Sequence, residues 1–111
     1  MRTEFAEREA PAMYVVVHHH IKNPETAFTR GQRLIAGDGA PETVKVLQFY
    51  PSQDLTEVTC LWESDTVESV QAWVDSTLGD ASSNFCYPVA AEQAFAERPL
   101  GLPATPMPQP A

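Results

Sequence analysis

The spacing of apolar and polar positions divides the chain into four stretches of strand character and two of helical character. The first, Met13-Tyr14-Val15-Val16-Val17-His18-His19-His20-Ile21, opens on an apolar run rich in β-branched valine, which predicts a buried strand. Asn23-Pro24-Glu25-Thr26 then reads as a helix start. Asparagine accepts from free backbone N–H groups, proline suits the first turn, and glutamate suits the positive end of the dipole. This helix is expected to run to about residue 36, with Phe28, Gly31, Leu34 and Ile35 near one face and Arg30 and Arg33 toward solvent. Gly37-Asp38-Gly39-Ala40-Pro41 stops it.

Residues 44–50 (VKVLQFY) and 56–63 (TEVTCLWE) lie at hairpin distance around Pro51-Ser52-Gln53-Asp54 and predict an antiparallel pair. Simple alternation puts Val44, Val46, Gln48 and Tyr50 on one face, against Lys45, Leu47 and Phe49. In the next strand Val58, Cys60 and Trp62 oppose Thr59 and Leu61. Neither face is cleanly polar, which implies cover on both sides of the sheet. Asp65 and Glu68 are spaced as a capping box for a second helix, in which Val67, Val70, Val74 and Leu78 recur at helical spacing beside Trp73. Glu68, Gln71 and Asp75 are expected to face water, and Gly79 closes the helix. Residues 84–89 (NFCYPV) form the last strand, placed at an edge because Pro88 lacks an N–H. A short helix is expected over residues 90–97.

The order strand, helix, strand, strand, helix, strand is the split β-α-β arrangement of an α+β, ferredoxin-like sandwich. Right-handed crossovers give the strand order 4-1-3-2, with both helices on one face. At 111 residues there is material for one core. The domain is assigned to residues 13–97, between a polar leader (1–12) and a proline-rich extended tail (98–111).

Charge changes the picture of partners. Fifteen acidic side chains against seven basic ones give a net charge of −8, which repels phosphate backbones and anionic membranes, so neither nucleic acid nor membrane is an expected partner. No stretch approaches the ~20 apolar residues of a membrane span, and nothing resembles a signal-peptide core, so a cytoplasmic location with reduced thiols is expected. With the opening strand between them, Cys60 and Cys86 stand about 9–10 Å apart, too far for a disulfide. Both read as small buried hydrophobes. Glycine-rich phosphate loops and hydrolase nucleophile motifs are absent from the sequence.

Over roughly residues 13–89, MYVVVHHHI, the hairpin ending in TCLWES and the helix DTVESVQAWVDSTLG leading to NFCYPV resemble the dimeric α+β-barrel superfamily. TCLWES with its following helix also resembles a group of small uncharacterised bacterial proteins related to a nickel-responsive one. The resemblance implies a homodimer in which two sheets pack face to face, and a pocket for a small-molecule ligand between sheet and helices. Its members include cofactor-independent monooxygenases, cyclases and isomerases. Several of those enzymes carry a histidine between the second helix and the last strand, where TLGDASSNFCY has none.

The chemistry of interest sits at the end of the first strand. Alternation sends His18 and His20 to one face and His19 to the other. His18 and His20 are candidate ligands for a divalent transition metal, Ni or Zn, with a cysteine, a carboxylate or a symmetry-related pair completing the shell. The metal-free alternative makes His19 or His20 a general base, with Tyr50 or Tyr87 polarising a substrate oxygen and Phe28, Trp62 and Trp73 forming apolar walls. The bland alternative for the aromatic residues is core packing. Small-ligand or metal binding thus stands first, a cofactor-independent enzyme second, and an interaction module third.

Overall fold

A computed structural model describes residues 13–95. The leader and the proline-rich tail lie outside the described residues. The chain runs β1 (Met13–Ile21), α1 (Pro24–Ala36), β2 (Lys45–Pro51), β3 (Glu57–Ser64), α2 (Val67–Leu78) and β4 (Ser82–Pro88). The four strands form one antiparallel sheet of order β2-β3-β1-β4, the ferredoxin-like arrangement expected from the sequence. β1 is interior, and β4, which carries Pro88, is an edge.

Alternation along β1 divides the molecule. Val15, Val17, His19 and Ile21 are buried, whereas Tyr14, His18 and His20 are exposed. Cross-strand pairs extend the buried face: Val17 stands between Cys60 and Cys86, and His19 between Val58 and Asn84. Val15 and Val17 have no solvent exposure, and each such side chain contributes about 1.5–3 kcal/mol on burial. Val70, Trp73, Val74 and Leu78 of α2 join these side chains in the core, as do Ala27 and Leu34 of α1. Cys60 and Cys86 are free thiols, as the strand order requires.

Helix ends explain the positions of the helices. Asn23 caps α1 by accepting from the Thr26 N–H at 3.2 Å, as its sequence implies. The cap of α2 falls at Thr66, whose hydroxyl accepts from the Ser69 N–H at 3.0 Å, rather than at Asp65. Asp65 accepts instead from the Thr43 hydroxyl, so its carboxylate ties the loop between α1 and β2 to the start of α2. Gly79 ends α2 at φ 58°, and a Cβ there would meet Arg30 Nη1 at 2.9 Å. The missing side chain lets Arg30 donate to the Leu78 carbonyl at 2.8 Å and close the last turn.

Two expectations are corrected. β2 does not alternate throughout, because a bulge at Leu47 lies between the Val46–Trp62 and Gln48–Leu61 pairs. Beyond it, parity inverts: Phe49 pairs with Cys60 on the helix side, and Tyr50 pairs with Thr59 on the opposite side. The expected helix over residues 90–97 is only a 3-10 turn, Ala91–Gln93, with residues 96 and 97 outside the description. Among the described residues no helix is long and apolar enough to cross a membrane.

Candidate functional site

α1 does not close fully onto the sheet. Between them lies a largely apolar cavity of about 570 Å³, with Phe28 and Gly31 on the helix side and Phe49, Cys60, Trp62 and His19 on the sheet side. The interior offers few residue types able to leave such a space beneath a helix, and Gly31 is one: a Cβ at that position would meet nothing within 4 Å. Ile35, at the same end of α1, lines the cavity and is half exposed.

His19 is the ionisable chemistry of this cavity together with Cys60. The ring is 2% exposed and its Nδ1 lies 2.7 Å from Asn84 Oδ1. Asn84 also accepts from the Ser82 hydroxyl at 2.7 Å and donates through Nδ2 to Asp75 Oδ1 at 2.8 Å. Burial pushes the His19 pKa below its ordinary value, against the opposing hydrogen bond to Asn84, so the ring is neutral at physiological pH. Nε2 has no hydrogen-bond partner among the described residues. A neutral imidazole with one nitrogen committed to the protein offers the other to a ligand.

The thiols have different chemistry. Burial pushes Cys60 up to about 12. Cys86 is raised to about 11 by burial and by the Asp75 carboxylate. Neither is a thiolate near neutral pH, so neither is an activated nucleophile. The indole nitrogens of Trp62 and Trp73 are buried without a hydrogen-bond partner among the described residues.

The residues singled out in the sequence fall into three places. His19, Phe28 and Trp62 meet at the cavity. Trp73 does not line it; the ring is buried in α2 with the Arg33 guanidinium 5.8 Å from its centroid. Tyr50 and Tyr87 pair with Thr59 and Val16 on the far face of the sheet, so the sheet itself separates both from His19. An acid–base pair of His19 with either tyrosine within one pocket is therefore corrected: the bulge moves Tyr50 away, and simple alternation does the same for Tyr87.

His18 and His20 also lie on that far face. Their rings converge on one carboxylate, His18 Nε2 at 2.7 Å from Glu57 Oε1 and His20 Nδ1 at 3.1 Å from Oε2. These bonds, that from His20 first, hold the exposed Glu57 carboxyl below its ordinary pKa. Among the described residues no group of three or more His, Cys, Asp or Glu side chains is arranged to hold a metal ion. Around this cluster the far face is apolar, with Tyr14, Phe85 and Tyr87 substantially exposed and the last two rings 6.0 Å apart. Val89 donates its N–H to the Tyr14 carbonyl, and the segment it begins borders a second hollow of about 480 Å³ over Tyr14, Val16 and Leu61.

Sequence reasoning passed over Asn84, Ser82, Asp75 and Gln71. The available signal was the strand order, which sets Asn84 beside His19 once β1 and β4 are placed antiparallel with Cys86 beside Val17.

No protein-family model matches this sequence, and no curated protein matches it. Among solved structures, the chain is similar to the uncharacterized protein TM1266 from Thermotoga maritima, at 13% identity and a TM-score of 0.47, over 71% of this chain and 99% of that one. It is similar to Rv0793 from Mycobacterium tuberculosis at 12% identity and a TM-score of 0.46, over 76% and 100% of the two chains. A third similarity is to the heme-degrading protein Rv3592 from Mycobacterium tuberculosis, at 21% identity and a TM-score of 0.40, over 72% and 94%.

Proposed function

We propose that this protein is a homodimer that binds a small, largely apolar molecule in the cavity beneath α1, with His19 meeting the ligand's polar group. One observation carries the reading: a cavity of about 570 Å³, lined mainly by apolar side chains, contains a buried neutral imidazole with one nitrogen bonded to Asn84 and the other without a partner among the described residues. That combination of apolar walls and one placed polar group is what small-molecule sites use, the walls for affinity and the polar atom for orientation. If the bound molecule is also transformed, as in a cofactor-independent enzyme, acid–base work falls to His19 without Tyr50 or Tyr87. Dimerisation through the far face of the sheet, in the manner of α+β barrels, is supported by exposed Tyr14, Phe85 and Tyr87.

Titration calorimetry with 1-naphthol as probe tests the cavity. The expected result is saturable binding of one probe per chain, abolished by Gly31→Leu, which directs a side chain into the open space beside α1. An absence of saturable heat, or binding indifferent to Gly31→Leu, contradicts the reading. For the dimer, mass measured in solution decides: a monomer at micromolar concentration contradicts it.

A second reading is a divalent metal, nickel or zinc, held by His18 and His20. The convergence of both rings on Glu57 favours it, since two imidazoles and a carboxylate suit such an ion. These three side chains are bonded to one another and do not form a complete shell, so a second copy would have to supply the remaining ligands. Elemental analysis of protein purified without an affinity tag tests it, and a stoichiometry near zero with no tight binding on titration contradicts it.

A further inference from the structure

The state of the His19 ring is set by a carboxylate it does not touch. Asp75 is acceptor-only, so the Asn84 atom 2.8 Å from its Oδ1 must be the donor, Nδ2; turning the amide over would place two oxygens at that distance. Gln71 holds the carboxylate still. Its Nε2 donates to Asp75 Oδ1 at 3.1 Å and Oδ2 at 3.0 Å, and to the Asn84 backbone carbonyl at 3.1 Å.

With Nδ2 committed, Asn84 Oδ1 is the atom that faces His19 Nδ1 at 2.7 Å and the Ser82 hydroxyl at 2.7 Å. An amide oxygen accepts, so Nδ1 carries the ring proton and Nε2 is left as a bare lone pair. Gln32, Cys60 and Trp62 are the other polar side chains lining the cavity, and the acceptor that the structure sets against Nδ1 is Asn84 Oδ1.

We propose that Asp75, Gln71 and Asn84 are positioning residues that fix His19 as a hydrogen-bond acceptor, so that the cavity selects ligands carrying a donor. The class is a phenol, an enol or an N–H heterocycle on an apolar skeleton, in preference to the matching ether or ketone. This rests on the cavity being the ligand site. A buried acceptor left unmatched by an ether loses its chance of a hydrogen bond while still losing water, the situation in which sites discriminate most strongly. The neutral state of the ring, kept by burial, supports the same role.

Two measurements on the full chain test this. Long-range proton–nitrogen NMR at pH 7.5, with His19 assigned by the signal lost in His19→Gln, reads the tautomer directly. The expected spectrum has a protonated Nδ1 and an unprotonated Nε2, and Asp75→Ala, at an exposed position, is expected to erode that preference. Titration with the matched probes 1-naphthol and 1-methoxynaphthalene reads the selection. About tenfold or more in favour of the naphthol is expected, the worth of one hydrogen bond. Asp75→Ala should narrow that ratio by weakening 1-naphthol without weakening 1-methoxynaphthalene, whereas a merely structural role would weaken both probes together. An unprotonated Nδ1, or equal affinities for the two probes, overturns the inference and leaves the cavity reading standing. If Nδ1 is protonated but neither probe binds, the cavity reading fails and the ligand class falls with it.

Discussion

Asn84→Ala removes a group that joins β1, β4 and α2 through side-chain hydrogen bonds, and its cost can be worked from the geometry. His19 Nδ1–H loses its acceptor at 2.7 Å in a ring that is 2% exposed. A buried donor left without a partner costs about 1–3 kcal/mol. The Ser82 hydroxyl, 4% exposed, loses its bond at 2.7 Å as well, for a net of about 1 kcal/mol. Asp75 is exposed, so water replaces Nδ2 there at little cost. The expected destabilisation is therefore about 2–4 kcal/mol, or roughly 10–20 °C in Tm for a domain of this size. Urea denaturation followed by tryptophan fluorescence measures it, and a double-mutant cycle with His19→Ala isolates the pair. A coupling of about 1–2 kcal/mol is expected. A cost for Asn84→Ala below about 0.5 kcal/mol, with no coupling to His19, would refute the claim that this bond holds the ring.

Three further outcomes follow from the same structure. The His19 pKa is lowered by folding, so below its ordinary value of 6.5 the unfolded chain takes up a proton that the folded chain resists. This contribution to stability is complete above about pH 6.5 and is lost as pH falls from there toward the folded value; urea midpoints at pH 7.5 and 5.5 should differ, and His19→Gln should reduce the difference. Cys60, held up to about 12, should resist iodoacetamide at pH 8 in the native protein and react once urea unfolds it; rapid native alkylation would contradict its placement. Leu55 sits in the β2–β3 turn at φ 65° and is 42% exposed, so Leu55→Asn should stabilise the protein by about 0.5–1 kcal/mol, and a lower urea midpoint would count against the left-handed assignment.

The order of elements was legible because each leaves a periodic trace: the valine run of β1, the 3.6-residue spacing of Val70 and Val74, the proline that sends β4 to an edge. The division of His18 and His20 from His19 needed only the two-residue repeat of a strand. The bulge left no such trace. One extra residue at Leu47 preserves the apolar character of VKVLQFY while reversing which side chains face α1, and pairing with β3 decides the matter. Tyr50 shows the consequence: unbroken alternation keeps it on the face of Val46 and hence of His19, and the inserted residue turns it to the other side.

The polar network was hidden for another reason. Asp75 and Gln71 occupy the positions at which an amphipathic helix shows polar residues, so periodicity assigns them to water. Asp75 is indeed exposed, yet its carboxylate receives Asn84 from the neighbouring strand. A hydrogen bond between residues nine apart depends on how α2 turns into β4, and the 3-10 turn Gly79–Ala81 that makes this connection carries no pattern visible beforehand. Gly31 was placed on the inner face of α1, but the space it leaves appears only once helix and sheet are docked.

The central claim is that the space beneath α1 holds a ligand and that His19 orients it. A crystal structure of the protein soaked with 1-naphthol tests this most directly. The expected result is electron density between Phe28 and the sheet, with the probe's hydroxyl within hydrogen-bonding distance of His19 Nε2. Density confined to the far face around Tyr14 and Leu61, or an empty cavity at saturating probe, would contradict it.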